Sequence, residues 1–203
     1  MNVFVLIGII IFCIYIYLHL KFILKINNNY DILQSKNPNK ENFEKIINQK
    51  SPSVFTDISN DWKLNKINKK NIDNYFKYYL TPLMISKKYE IYESNLKNNL
   101  IREKNNRHLI LQIEGESKFY LFNPKQSKYL YPSKKNKNES QIDYWNQDLK
   151  KFPLLNKAQF IEIKLHKNQM LYIPYKWWYA SEHFDNSKII DCKSDSLFSY
   201  FIC

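Results

Sequence analysis

The chain has 203 residues, a formal net charge of +12 and 16% aromatic residues. With its start taken up by an apolar segment, roughly 170 residues remain, enough for one domain with a core and a squeeze for two. The aromatic content argues against disorder. Cys13, Cys192 and Cys203 show no CxxC or Cys/His spacing, which excludes a zinc ribbon and a disulfide framework.

Val3 to Leu18 is an unbroken apolar and aromatic run that continues, with His19 and Lys21 interposed, to Leu24. As a helix, residues 2–24 span roughly 33 Å, matching a bilayer core of about 30 Å. No basic residue precedes the run and no small-residue cleavage site ends it, so it reads as an anchor over 1–25 rather than a signal peptide. Lys21, Lys25, Lys36 and Lys40 lie at its C-terminal side, which puts that side in the cytosol by the positive-inside rule. The expectation is a single-pass membrane protein with a cytosolic domain. Asn138-Glu139-Ser140, a formal glycosylation triplet, cuts against that topology.

Residues 26–40 are polar and read as a linker, and 41–203 as the domain. Phe43, Ile46 and Ile47 give helical spacing over Glu41–Gln49. Pro52–Phe55 reads as a short strand. A second helix is predicted over Ile72–Leu80, and a strand pair over Leu83–Tyr92. His108–Phe122 is strongly strand-like, with a hairpin turn at Glu114-Gly115-Glu116. Ser133–Glu139 is a polar loop. Phe160–Leu165 and Met170–Ile173 read as strands joined by a turn at His166–Gln169, and Ser196–Ile202 as the last strand. Short helices followed by β-rich structure point to an α+β fold or an all-β sandwich or barrel.

Two passages carry more. Arg107-His108-Leu109-Ile110-Leu111-Gln112-Ile113-Glu114-Gly115-Glu116-Ser117-Lys118-Phe119-Tyr120-Leu121-Phe122-Asn123-Pro124 is followed by Leu130-Tyr131-Pro132. Met170-Leu171-Tyr172-Ile173-Pro174-Tyr175-Lys176-Trp177-Trp178-Tyr179 comes after Phe160–Leu165. Both resemble stretches of the JmjC and cupin-like oxygenases. Ser51-Pro52-Ser53-Val54-Phe55, with Trp62, is similar to the opening of such domains. The resemblance spans about 41–202. It implies a mainly β fold, a double-stranded β-helix of the cupin or jelly-roll type with N-terminal flanking helices, here preceded by one transmembrane helix. In active members, it implies a His-x-Asp/Glu pair and a distal His holding Fe(II), with 2-oxoglutarate and oxygen at the open positions.

Aligned on that resemblance, the three ligand positions fall on Arg102, Lys104 and Tyr179. Two are cations, unsuited to a divalent metal. Glu103 lies between the first two and, on a strand, points to the opposite face. The cosubstrate-binding lysine matches Ser117, with Lys118 one residue off. His183-Phe184-Asp185 is a His-x-Asp by letter, but its place after Trp177-Trp178 makes it a solvated turn. His166 reads as a turn residue. His108 shares strand parity with Gln112. His108, Gln112, Ser117, Tyr172, Trp177 and Tyr179 are the expected pocket-lining residues. No catalytic, metal-binding or cofactor-binding residue is assigned.

The reading is therefore a membrane-anchored cupin-like domain of JmjC type, catalytically inactive, acting as a binding or structural module with a protein partner. One alternative is a divergent Fe(II)/2-oxoglutarate-dependent hydroxylase or demethylase. Another is a membrane-linked binder of polyanions, nucleic acid or anionic lipid, driven by net charge. Against that one, the lysines are scattered apart from Lys134, Lys135 and Lys137, and a solvated lysine-rich surface accounts for most of the charge.

Overall fold

Strand residues alternate between two faces, and here both faces of two sheets are used. The computed structural model describes residues 3–23, 25–58, 67, 70–80, 84–93 and 95–196. Its helices are α1 (Val3–Ile23), α2 (Lys40–Ile47) and α3 (Ile72–Phe76). Its strands are β1 (Leu33–Lys36), β2 (Ser53–Thr56), β3 (Met84–Glu93), β4 (Leu96–Arg102), β5 (Arg107–Glu114), β6 (Glu116–Phe122), β7 (Ile161–His166), β8 (Gln169–Ile173), β9 (Trp178–His183) and β10 (Lys188–Ser196). One sheet has the order β1-β2-β8-β5-β10-β3 and the other β4-β9-β6-β7. All neighbours are antiparallel except β1 and β2. This is a mainly β architecture consistent with the jelly roll that the resemblance implies.

Three apolar layers hold it. Ile110, Leu171 and Ile173 meet Phe119, Leu121, Ile163 and Tyr179 between the sheets. The far side of the larger sheet is sealed by Phe43 and Ile47 of α2 and Ile72 and Phe76 of α3, packed on Leu109, Leu111 and Tyr172. The far side of the smaller sheet is covered by the long excursion between β6 and β7, whose Leu130, Ile142 and Phe152 pack on Trp178 and Ala180. α2 is short but well specified: Asn39 accepts the Asn42 backbone N–H as an N-cap, and its apolar residues lie on one face.

Several expected elements change. The turn at Glu114–Glu116 is no hairpin, because β5 pairs with β8 and β10 whereas β6 pairs with β7 and β9. The chain there crosses from one sheet to the other, and it does so again between β7 and β8. A tight glycine turn serves either purpose, so local sequence cannot separate them. The crossing needs Gly115 itself: its φ is 65°, and a Cβ would lie 2.7 Å from the Asn186 carbonyl oxygen and 2.9 Å from Ser187 Cα. Gly115→Ala is expected to lower the unfolding free energy by about 1–3 kcal/mol, read from the urea midpoint.

The Leu83–Tyr92 strand pair is one ten-residue strand, β3, whose partner is β10. α3 stops at Phe76, short of the expected Leu80. Residues 26–40 are not a free linker. Leu33–Lys36 adds a parallel strand to β2, Asn27 donates to Ser51 Oγ at 2.7 Å and its carbonyl accepts from Trp177 Nε1 at 3.1 Å, and Tyr30 donates to the Gln159 carbonyl at 2.7 Å. Polar groups that mark a loop in sequence here tie the segment to the domain. Trp62 and most of the expected strand Ser196–Ile202 lie outside the described residues.

α1 is 21 residues long, and Val3, Phe4, Ile11, Phe12 and Leu18 on it are exposed. The side chains of His19, Phe22 and Ile23 lie outside the described ones. Among the described residues, no helix is long and apolar enough to cross a membrane.

Candidate functional site

β4 ends against β9, with Ile101 opposite Tyr179 and Arg102 opposite Trp178. Tyr179 belongs to the layer between the sheets and Trp178 to the outer layer. Arg102 therefore turns outward: its guanidinium lies 5.6 Å above the Trp178 ring, and its Nε donates to Asn138 Oδ1 at 3.0 Å. Glu103 turns inward and is 3% exposed. The expected orientation is thus inverted, since the metal-ligand alignment puts Arg102 and Lys104 on the barrel side and Glu103 away from it. Glu103 follows the last residue of β4, and its inward turn goes with its contacts to His108 and to the Asn105 backbone N–H, which donates to Glu103 Oε1 at 2.6 Å; no residue count reveals these.

Inside, Glu103 Oε2 lies 2.5 Å from His108 Nδ1, and Asp191 Oδ1 lies 3.1 Å from His108 Nε2. Lys193 Nζ pairs with Asp191 Oδ2 at 3.2 Å. The ring N–H directions are off the carboxylate oxygens, so the pairing is electrostatic rather than a set of linear hydrogen bonds. His108 is fully buried, and its ring lies 5.4 Å from that of Tyr179, tilted by 60°. Burial works against charge on every member, yet the partners outweigh it. Asp191 and Glu103 hold the His108 imidazole above its ordinary pKa, and His108 with Lys193 holds both carboxyls below theirs. The two carboxylates thus favour a proton on His108, and Lys193 adds a second cation at the edge of the cluster. Burial, then Glu103 and Asp191, push the Tyr179 phenol well above its usual range, so it is a neutral hydroxyl.

A cavity of about 520 Å³ opens over this cluster, lined among others by Arg102, Glu103, Lys104, Asn138, Tyr179 and Lys193. Of the six expected pocket residues, Tyr179 lines it. His108 sits behind Tyr179. The other four are fully buried elsewhere. Tyr172 packs beneath α2 and α3, and Trp177 in the layer between the sheets. Gln112 Nε2 donates to the Glu114 carbonyl at 2.6 Å and to Ser187 Oγ at 2.8 Å. Ser117 Oγ lies 2.8 Å from His183 Nδ1 and 3.0 Å from Ser187 Oγ. His183 is therefore no solvated turn: it ends β9, is 2% exposed, and burial pushes its pKa down to about 4. His166 is the last residue of β7 rather than a turn residue, exposed and near Glu116. Lys118 faces away from Ser117, toward Glu162. Asp191 and Lys193 were not anticipated, although the apolar pair Ile189-Ile190 before them signals a strand.

These residues do not fit an iron triad. Arg102 and Lys104 repel a divalent ion, and Tyr179 holds its proton. The two carboxylates approach opposite nitrogens of His108, so one ion cannot take the imidazole and both acids together. Among the described residues, no group of three or more His, Cys, Asp or Glu is arranged to hold a metal. Ser117, where a cosubstrate-binding lysine is expected, offers no cation and is spent on His183 and Ser187.

Residues 102–190 match the cupin-like domain family. The chain is 35% identical over 82 residues to human HSPB1-associated protein 1, covering 38% of this chain and 17% of that protein. It is 39% identical over 75 residues to JmjC domain-containing protein D of Dictyostelium discoideum, covering 36% of this chain and 17% of that protein. It is also 35% identical over 79 residues to human tRNA wybutosine-synthesizing protein 5, covering 38% of this chain and 24% of that protein. The match thus covers between 17% and 24% of the length of these relatives. The cupin-like match starts at Arg102, so the first replaced ligand position lies at its boundary.

Proposed function

We propose that this chain is a membrane-tethered, metal-independent cupin-like module that binds a partner rather than oxidising a substrate. The observation that carries the reading is the commitment of His108 to Glu103 on one side and Asp191 on the other, beside Arg102, Lys104 and Tyr179. A proton on an imidazole occupies the electrostatic role that a metal ion has in an active domain. The proposed tether is α1, on which Val3, Phe4, Ile11, Phe12 and Leu18 are exposed; the support for a membrane attachment is this run of exposed apolar side chains together with the apolar sequence of the segment. Lys21 and Lys25 favour a cytosolic domain. A protein partner is in keeping with the name of HSPB1-associated protein 1, and is proposed here for this chain alone.

The second reading, an Fe(II)/2-oxoglutarate oxygenase, follows from the resemblance to the JmjC and cupin-like oxygenases, and one relative is named for a biosynthetic role, tRNA wybutosine synthesis. Anaerobic titration of the full chain in neutral detergent with Fe(II), 2-oxoglutarate present, separates the two. No stoichiometric iron and no 2-oxoglutarate turnover are expected. One tightly held Fe(II) per chain, strengthened by 2-oxoglutarate, would hand the site to the oxygenase reading.

A further inference from the structure

The cavity beside Tyr179 contains acidic groups that each have an ion-pair or hydrogen-bond partner, and two cationic groups whose charged ends are open. Glu103 is paired with His108, and Asp191 lies between His108 and Lys193. Asp195 accepts from Asn105 Nδ2 at 2.6 Å and from the Asn106 backbone N–H at 2.7 Å. Glu139 accepts from Asn136 Nδ2 at 2.7 Å, and Lys88 is paired with Glu90. Arg102 and Lys104 differ. Among the described residues Arg102 commits its Nε, to Asn138, and its two terminal amino groups have no polar partner. Lys104, on the rim, has none either. Asn138 gives its carbonyl oxygen to Arg102 and keeps its amide NH2.

We propose that this cavity binds the oxyanion group of a small molecule, a phosphate or a carboxylate, through Arg102, Lys104 and the Asn138 amide. This rests on the reading of the site as a metal-independent pocket. The guanidinium presents a planar fork that matches either group with paired hydrogen bonds. Its stacking on Trp178 and its bond to Asn138 fix it in advance, so little side-chain freedom is lost on binding. The roughly 520 Å³ volume is within the usual range for small-molecule sites and leaves room for more than the anionic group. Asn105, Asn136 and Asn138 add neutral donors and acceptors for hydroxyls on the remainder.

The test is calorimetric titration of the full chain in neutral detergent with inorganic phosphate, and separately with succinate, at constant ionic strength set by chloride. Saturable one-to-one binding of at least one probe is expected, and the tighter probe names the anionic group. Lys104→Gln, at an exposed position, should weaken it at least tenfold, and Lys104→Arg should restore most of the loss. Lys135→Gln, on the exposed loop, should change nothing. Absence of saturable binding of both probes overturns the proposal, as does equal weakening by Lys104→Gln and Lys135→Gln, which would mark diffuse charge attraction. Loss of anion binding with iron still unbound sinks this inference alone, whereas tight iron binding sinks the metal-independent reading beneath it.

Discussion

His108→Leu is expected to lower the unfolding free energy by about 3–5 kcal/mol near neutral pH, because it leaves Glu103 and Asp191 buried without their shared counter-charge. Lys193 stays beside Asp191, but Glu103 keeps only a neutral donor, the Asn105 backbone N–H at 2.6 Å, and no adjacent counter-charge. The pH dependence follows from the directions of the shifts. His108 has a raised folded pKa, so its contribution is complete below the ordinary imidazole range and is lost as pH rises through the folded value. Glu103 and Asp191 have lowered folded pKa values, so theirs is present above the ordinary carboxylate range and is lost as pH falls through the folded values. The wild type should therefore exceed the variant most in the window between those limits, with the gap closing at both ends. Urea unfolding followed by tryptophan fluorescence across that window measures it. Adding Glu103→Gln to His108→Leu should recover part of the loss, since the uncompensated acid is then gone. A gap independent of pH would mean that lost packing, not charge, sets the cost.

Arg107→Leu is expected to cost a similar amount, about 3–5 kcal/mol. Arg107 is 4% exposed and joins three segments that are distant in sequence. Its Nη1 and Nη2 pair with the two Glu44 carboxylate oxygens of α2 at 3.0 and 2.8 Å. Nη1 also donates to the Tyr79 and Leu80 carbonyls at 2.7 and 2.9 Å, and the guanidinium lies 5.6 Å from the Phe43 ring. The arginine thus fastens α2 and the segment after α3 onto β5. Arg107→Lys should rescue little, because an ammonium cannot reproduce the forked pairing and the two carbonyl contacts at once. Near-wild-type stability of the lysine variant would show that a point charge suffices. Because these contacts seal the helical layer rather than the cavity, anion binding by the folded variant should persist.

The sequence carried some of this directly. Apolar alternation in Phe160–Leu165 and the apolar stretch at Met170–Ile173 locate β7 and β8, and helical spacing of Phe43, Ile46 and Ile47 locates α2. These are local periodicities set by backbone geometry, so neighbouring residues suffice to read them. The glycine turn at 115 is likewise legible, but whether it closes a hairpin or crosses between sheets depends on partners far along the chain. β4, β9 and β10 escape notice because their residues mix polar and apolar types. Asp191, Ser194 and Asp195 of β10 are buried through polar contacts rather than hydrophobicity.

The same limit governs the site. Sequence alone determined that cations and a tyrosine stand at the aligned ligand positions, because that needs only residue identity and order. It also determined the apolar N-terminal segment. Only the tertiary structure decided that Glu103 faces inward, since it lies just past the end of β4, where strand alternation no longer applies and contacts with His108 and the Asn105 backbone N–H hold it. It alone brought Asp191 and Lys193 beside His108, across about eighty residues of chain, through the pairing of β5 with β10. Strand periodicity is a property of the nearest neighbours. The choice of partner strand and register follows from how all three apolar layers close at once, and that closure places a buried, charge-balanced cluster beneath a cationic rim.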